Sequence, residues 1–146
     1  MTRRALSALL CAALIALCGY SGGQESSAPT STPSIESLVA RYADATVVED
    51  EGDLIIGIRV DGSDLGAVCE AFFSQAEDVF PHCVSGGEYT GVSFSLVRGG
   101  RDVAAFLVWP GEGGMRMSDP IAYDADYAEA FSEAFYHSAF GRNLAE

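Results

Sequence analysis

The chain has 146 residues, with 21 acidic side chains against 8 basic ones and a formal net charge of −13. That length allows one domain plus an export segment. A surface this acidic repels phosphate backbones and anionic headgroups, which excludes nucleic acid as a partner and leaves a lipid anchor as the only route to a membrane.

The chain has no lysine; its basic residues are Arg3, Arg4, Arg41, Arg59, Arg98, Arg101, Arg116 and Arg142. Residues 1–17 predict a secretory signal peptide. Thr2-Arg3-Arg4 supplies the positive start, and Ala5 to Leu17 is an apolar run of Ala, Leu, Ile and one Cys. The run is shorter than the roughly 20 apolar residues a spanning helix needs, so cleavage is expected. Without this leader, 6 arginines face 21 acids, a net −15.

Ile15-Ala16-Leu17-Cys18 resembles the lipobox of bacterial lipoproteins. The resemblance implies that Cys18 is lipidated as the first residue of the mature chain, on the outer face of the cell membrane. Leu17 stands where that pattern holds a small residue. The other reading is ordinary secretion, with cleavage near Gly19-Tyr20-Ser21. Residues 18–32 are rich in Gly, Ser, Thr and Pro without apolar periodicity, which predicts a disordered tether. Residues 33–146 are the expected domain.

Pro33 and Ser34 suit a helix start. Ile35, Leu38, Val39 and Tyr42 then recur at helical spacing through Asp44. Thr46–Glu49 reads as a strand, Asp50-Glu51-Gly52-Asp53 as a turn, and Leu54–Val60 as a second strand. In that strand Leu54, Ile56, Ile58 and Val60 share the inner face, while Ile55, Gly57 and Arg59 share a wetter one. The strongest amphipathic signal is a helix from Asp64 to about Phe80, with Ser63 as N-cap. Its inner stripe is Leu65, Val68, Cys69, Phe72, Ala76, Val79 and Phe80, and Pro81 is expected to end it. After Ser85-Gly86-Gly87, Val92–Leu96 alternates as a strand. Gly99-Gly100 predicts a two-residue hairpin turn, placing Leu96 opposite Val103, Phe94 opposite Ala105 and Val92 opposite Leu107. Residues 110–119 read as a Gly-rich connection. A last helix runs from Asp124 to about Phe140, with Gly141 just past its end. The order α-β-β-α-β-β-α predicts an α+β, two-layer domain: a four-stranded antiparallel sheet with helices packed on one face.

In an exported domain Cys69 and Cys83 are an even pair, which predicts a disulfide. That bridge requires the chain to double back at Pro81-His82 or the helix to fray before Phe80. His82 and His137 are too few and too scattered for a zinc or hydrolytic site. The acidic clusters at Glu49–Asp53, Asp61–Asp64 and Asp124–Asp126 lack the full EF-hand pattern and read as turns and caps. Gly111-Glu112-Gly113-Gly114 has no lysine and so is no phosphate loop, and no catalytic set, metal site or cofactor site emerges. Trp109, Met115 and Met117 form the candidate recognition patch. The functional expectation is a non-enzymatic, lipid-anchored cell-envelope domain acting through contacts with an envelope protein. The alternative is a small-ligand binder with a pocket between sheet and helices.

Overall fold

Two neighbouring strands at the middle of the sheet run parallel, because a single helix lies between them in the chain. The computed structural model describes residues 33–84 and 89–145. The signal peptide, Cys18, the tether and the Ser85-Gly86-Gly87 turn lie outside the described residues. Helix α1 spans Ile35–Val39, β1 Ala45–Asp50, β2 Asp53–Arg59 and α2 Leu65–Val84. Then come β3 (Gly91–Arg98), β4 (Arg101–Gly111), β5 (Gly114–Met117) and β6 (Ile121–Ala122). A 3-10 turn at Ala125–Tyr127 leads into α3 (Ala128–His137) and α4 (Ala139–Ala145).

The architecture is mixed α+β, as expected, but the sheet has six strands rather than four and is not purely antiparallel. Its order is β1-β2-β3-β4-β5, with β6 also pairing along β4. Among the described strands, β2 and β3 pair in parallel and the other pairs are antiparallel. One long helix reverses the chain once, so the strand after it runs with the strand before it. The added strand β5 comes from the segment read as a connection, and β6 from the residues between that segment and the last predicted helix.

Local chemistry sets the boundaries. Ser34 caps α1 by accepting from the Ser37 amide at 3.1 Å, and the helix is shorter than predicted. The β1–β2 turn holds Glu51 and Gly52 at φ 50° and 95°, the left-handed pair a two-residue hairpin demands. At α2 the cap is Asp64, not Ser63: its carboxylate accepts from the Ala67 amide at 3.2 Å. Pro81 does not end this helix. It lies on the exposed side, where its missing N–H leaves only the Glu77 carbonyl without an intrahelical donor, while Cys83 beyond it is buried.

That continuity corrects the predicted disulfide. Fourteen residues of unbroken helix separate Cys69 from Cys83 by about 21 Å of axial rise. A disulfide tolerates Cα atoms no more than about 7 Å apart. Both are buried, free thiols.

The Gly99-Gly100 turn is present, with Arg98 opposite Arg101 and Val97 opposite Asp102. Beyond it the predicted register is off by one. A bulge leaves Val103 unpaired, so Leu96 faces Ala104, Phe94 faces Phe106 and Val92 faces Val108. Phe106 thereby joins the core instead of the outer face. Its ring lies 5.4 Å from that of Phe94, 5.3 Å from Phe73, 5.5 Å from Phe135 and 4.8 Å from Phe140. Phe72 reaches the same ring at 6.3 Å, so the middle helix and the hairpin share one interior with Leu54, Ile56 and Ile58.

The last helix is two. At Ser138 the backbone turns extended (φ −77°, ψ 170°), and its hydroxyl donates to the Phe135 carbonyl at 2.6 Å while accepting from the Gly141 amide at 3.3 Å. Gly141 is therefore not the residue past a helix end. It sits within α4, where a Cβ would overlap the Phe135 carbonyl oxygen and approach Tyr136 Cα to 2.5 Å. Its bare Cα lets α4 cross the end of α3.

Candidate functional site

The inner residues of β2, β3 and β4 face the helices, so alternation sends their neighbours to the other side. Registers place Val48, Ile55, Ser93 and Leu107 side by side across four strands. The adjacent row is Thr46, Gly57, Ser95, Ala105 and Ile121. Among the described residues no helix lies across this face, and four large apolar side chains stay open on it: Val48 54 %, Ile55 37 %, Leu107 38 % and Ile121 50 % exposed. Between them the surface is low. A Cβ on Gly57 would meet Val97 Cγ2 at 3.1 Å and Thr46 Oγ1 at 3.2 Å, so nothing larger fits without a shift. Polar groups at the margins are engaged: Ser95 donates to Asp102 at 3.2 Å, Arg59 pairs with Asp44, and Arg101 with Asp124 at 2.8 Å. These guanidinium partners hold the Asp44 and Asp124 carboxyls below the usual carboxylate range; for Asp124 the Asp126 amide adds to the effect.

The predicted patch of Trp109, Met115 and Met117 is divided by the sheet. Met117 pairs with Val108 and Met115 with Pro110, so both methionines point to the helix side. Trp109 pairs with Arg116 and points to the open face, on the same row as Gly91 and Asp53. Met115 is 39 % exposed, but Met117 is buried. The alternation in Gly114-Met115-Arg116-Met117 is the sequence signal that would have separated them.

On the helix side, two adjoining recesses open beside Met115. The larger, about 260 Å³, is lined by Cys83, Val84, Tyr89, Gly91, Val92, Val108, Pro110 and Met115. The smaller, about 140 Å³, is lined by Glu77, Phe80, Val108, Met115, Met117, Ala139, Phe140 and Asn143.

Among the described residues, the reactive side chains stand apart from one another. Burial pushes the Cys69 thiol up to about 11 and the Cys83 thiol up to about 12, so both are protonated and inert at neutral pH. Although Cys83 is free, His82 does not join it: the imidazole stacks on the Tyr42 ring at 4.9 Å while the thiol points inward. The His137 carbonyl accepts from Arg142. The acidic turns do structural work. Asp53 accepts from Thr90 at 2.6 Å, Asp64 caps α2, and Asp124 caps the 3-10 turn by accepting from the Asp126 amide at 3.0 Å. Among the described residues, no three His, Cys, Asp or Glu side chains group to hold a metal ion, and no helix is long and apolar enough to cross a membrane. Comparison with protein-family models, curated proteins and solved structures gives no significant match.

Proposed function

We propose that this chain is a non-enzymatic, exported cell-envelope protein, tethered through a lipid on Cys18, whose domain works by docking an envelope protein on the open face of its sheet. One observation carries the docking reading: Val48, Ile55, Leu107 and Ile121 stand exposed together on one face of a sheet whose other face is covered. Scattered exposed apolar residues are ordinary, whereas a group on one flat face marks a contact surface. Export and lipidation rest on the leader.

Two measurements test the two halves. Intact mass of the membrane-extracted protein should show diacylglycerol on Cys18; an unmodified, uncleaved leader would refute the anchor. A photo-crosslinking amino acid at Ile55 or Leu107 should trap a discrete envelope protein in living cells, while the same group at Glu129 on α3 should not. Equal yields from the two sides would refute the docking face.

A further inference from the structure

The recesses beside Met115 lie on the opposite side of the sheet from the docking face, and their chemistry is different. The walls of the larger one are mostly carbon. The Tyr89 hydroxyl donates to Glu49 at 3.3 Å and the Cys83 thiol to the Val79 carbonyl at 3.5 Å, so neither polar group is turned to a guest. Among the described residues that line the larger recess these are the polar side chains, so the lining favours an apolar guest over a water, sugar or phosphate. The two recesses adjoin, with Val108 and Met115 lining both. Methionine is unbranched and adaptable, and this one is part exposed, so it can swing aside. At about 30 Å³ per carbon, the volume of a water, the larger recess takes roughly eight carbons in a row.

The far end of the smaller recess is polar. Glu77 lines it, with one carboxylate oxygen accepting from the Ala139 amide at 2.5 Å. No described arginine pairs with Glu77; the ion pairs are Asp44–Arg59 and Asp124–Arg101. Its carboxylate adds negative charge at this end of the recess, in a chain whose net charge is already −13. An anionic head is repelled there and a cationic head is attracted.

We propose that these joined recesses bind a linear amphiphile, its unbranched apolar chain lying along Val92, Val108 and Met115 and its ammonium head against Glu77. Straight-chain alkylammonium ions titrated into the purified full chain by calorimetry, below their micelle concentrations, test this. Affinity should rise about fourfold per added methylene and level off once the recesses are filled. Decylammonium should bind at least tenfold tighter than decanoate. Glu77→Gln, which keeps an acceptor for the Ala139 amide, should erase the head preference and retain the dependence on length. Met115→Trp, at an exposed position, should weaken every chain at least tenfold with an unchanged circular dichroism spectrum. An Ile55→Glu/Leu107→Glu variant, altered only on the docking face, should bind as the original does. Affinity indifferent to chain length, decanoate equal to decylammonium, or full binding by the Met115→Trp protein would each overturn the proposal.

Discussion

Two adjacent residues of β4 provide the sharpest test of the register. Without the bulge at Val103, Leu107 would face Val92 in the interior and Phe106 would face outward. With it, Phe106 is 2 % exposed and Leu107 38 %. Phe106→Ala removes a ring that has four aromatic neighbours within 5.5 Å and a fifth at 6.3 Å. Those neighbours come from α2, α3, α4 and β3, so no single element can move in to fill the void. The expected loss is at the level of the larger Phe-to-Ala changes, about 3–5 kcal/mol. For a domain of this size that lowers the melting temperature by about 12–20 °C. Leu107→Ala removes a side chain already part solvated and should cost about 1 kcal/mol or less. Urea unfolding of both variants, followed by far-ultraviolet circular dichroism, gives the comparison. Equal losses, or a larger one for Leu107→Ala, would refute the bulged register and the core built on it.

The thiols give a second expectation: native protein should resist thiol reagents at Cys69 and Cys83 at neutral pH, and denatured protein should react at both, with no two-dalton deficit in intact mass. Their folded pKa values, about 11 and about 12, lie above the unfolded value, so the stability they contribute is complete below about pH 8.5 and is lost as pH rises toward 11 and 12. A Cys69→Ala/Cys83→Ala variant should show a flatter stability profile between pH 9 and 12 in urea titrations. At Gly141 the usual helix rule should reverse: alanine ordinarily stabilises a helix interior by about 1 kcal/mol, but here its Cβ meets Phe135 and Tyr136 backbone, so thermal melts of Gly141→Ala should show a loss of about 2 kcal/mol or more.

Where one face of an element is apolar and the other polar, the sequence shows which way it points. The α2 stripe and the inner face of β2 are of this kind, and Val68, Cys69, Phe72, Ala76, Leu54, Ile56 and Ile58 are all buried. Val103-Ala104-Ala105-Phe106 has no such contrast. All four are buried, so either parity fits the pattern and a one-residue bulge leaves no trace in it. Pro110 and the surrounding glycines hid β5, because proline is compatible with a strand at its end or edge. Pro81 misled in the opposite sense: a proline on the solvent side of a last turn costs one backbone bond, and burial of Cys83 favours keeping the turn. The open face was half legible. Ile55 and Arg59 mark an outer face of β2, but only the pairing of four strands brings Val48, Ile55 and Leu107 into one row.

The distribution of charge on the two sides of the domain bears on why that row is open. Acids crowd the helices, with Glu70, Asp78, Glu129 and Glu133 all exposed, and they crowd the turns. The outward positions at the centre of the sheet are Val48, Ile55, Gly57, Ser93, Ser95, Ala105 and Leu107, none of them charged. Charge stands around these positions, with Asp50, Asp53, Arg59, Asp102 and Arg116, and the Asp102 carboxylate accepts from Ser95 at 3.2 Å. A sheet face that had only to stay soluble would take a carboxylate at Ile55 or Leu107 at little cost, since both already touch water. In a chain with 21 acids, an uncharged Val48–Ile55–Ser93–Leu107 row is what the proposed docking reading requires, because a contact surface must be desolvated. The smooth floor made by Gly57, Ser93 and Ser95 suits a flat protein surface rather than an inserted side chain. The Ile55→Glu/Leu107→Glu variant should accordingly lose the crosslinked partner while melting within a few degrees of the original, a combination that a purely structural role for these residues would not produce.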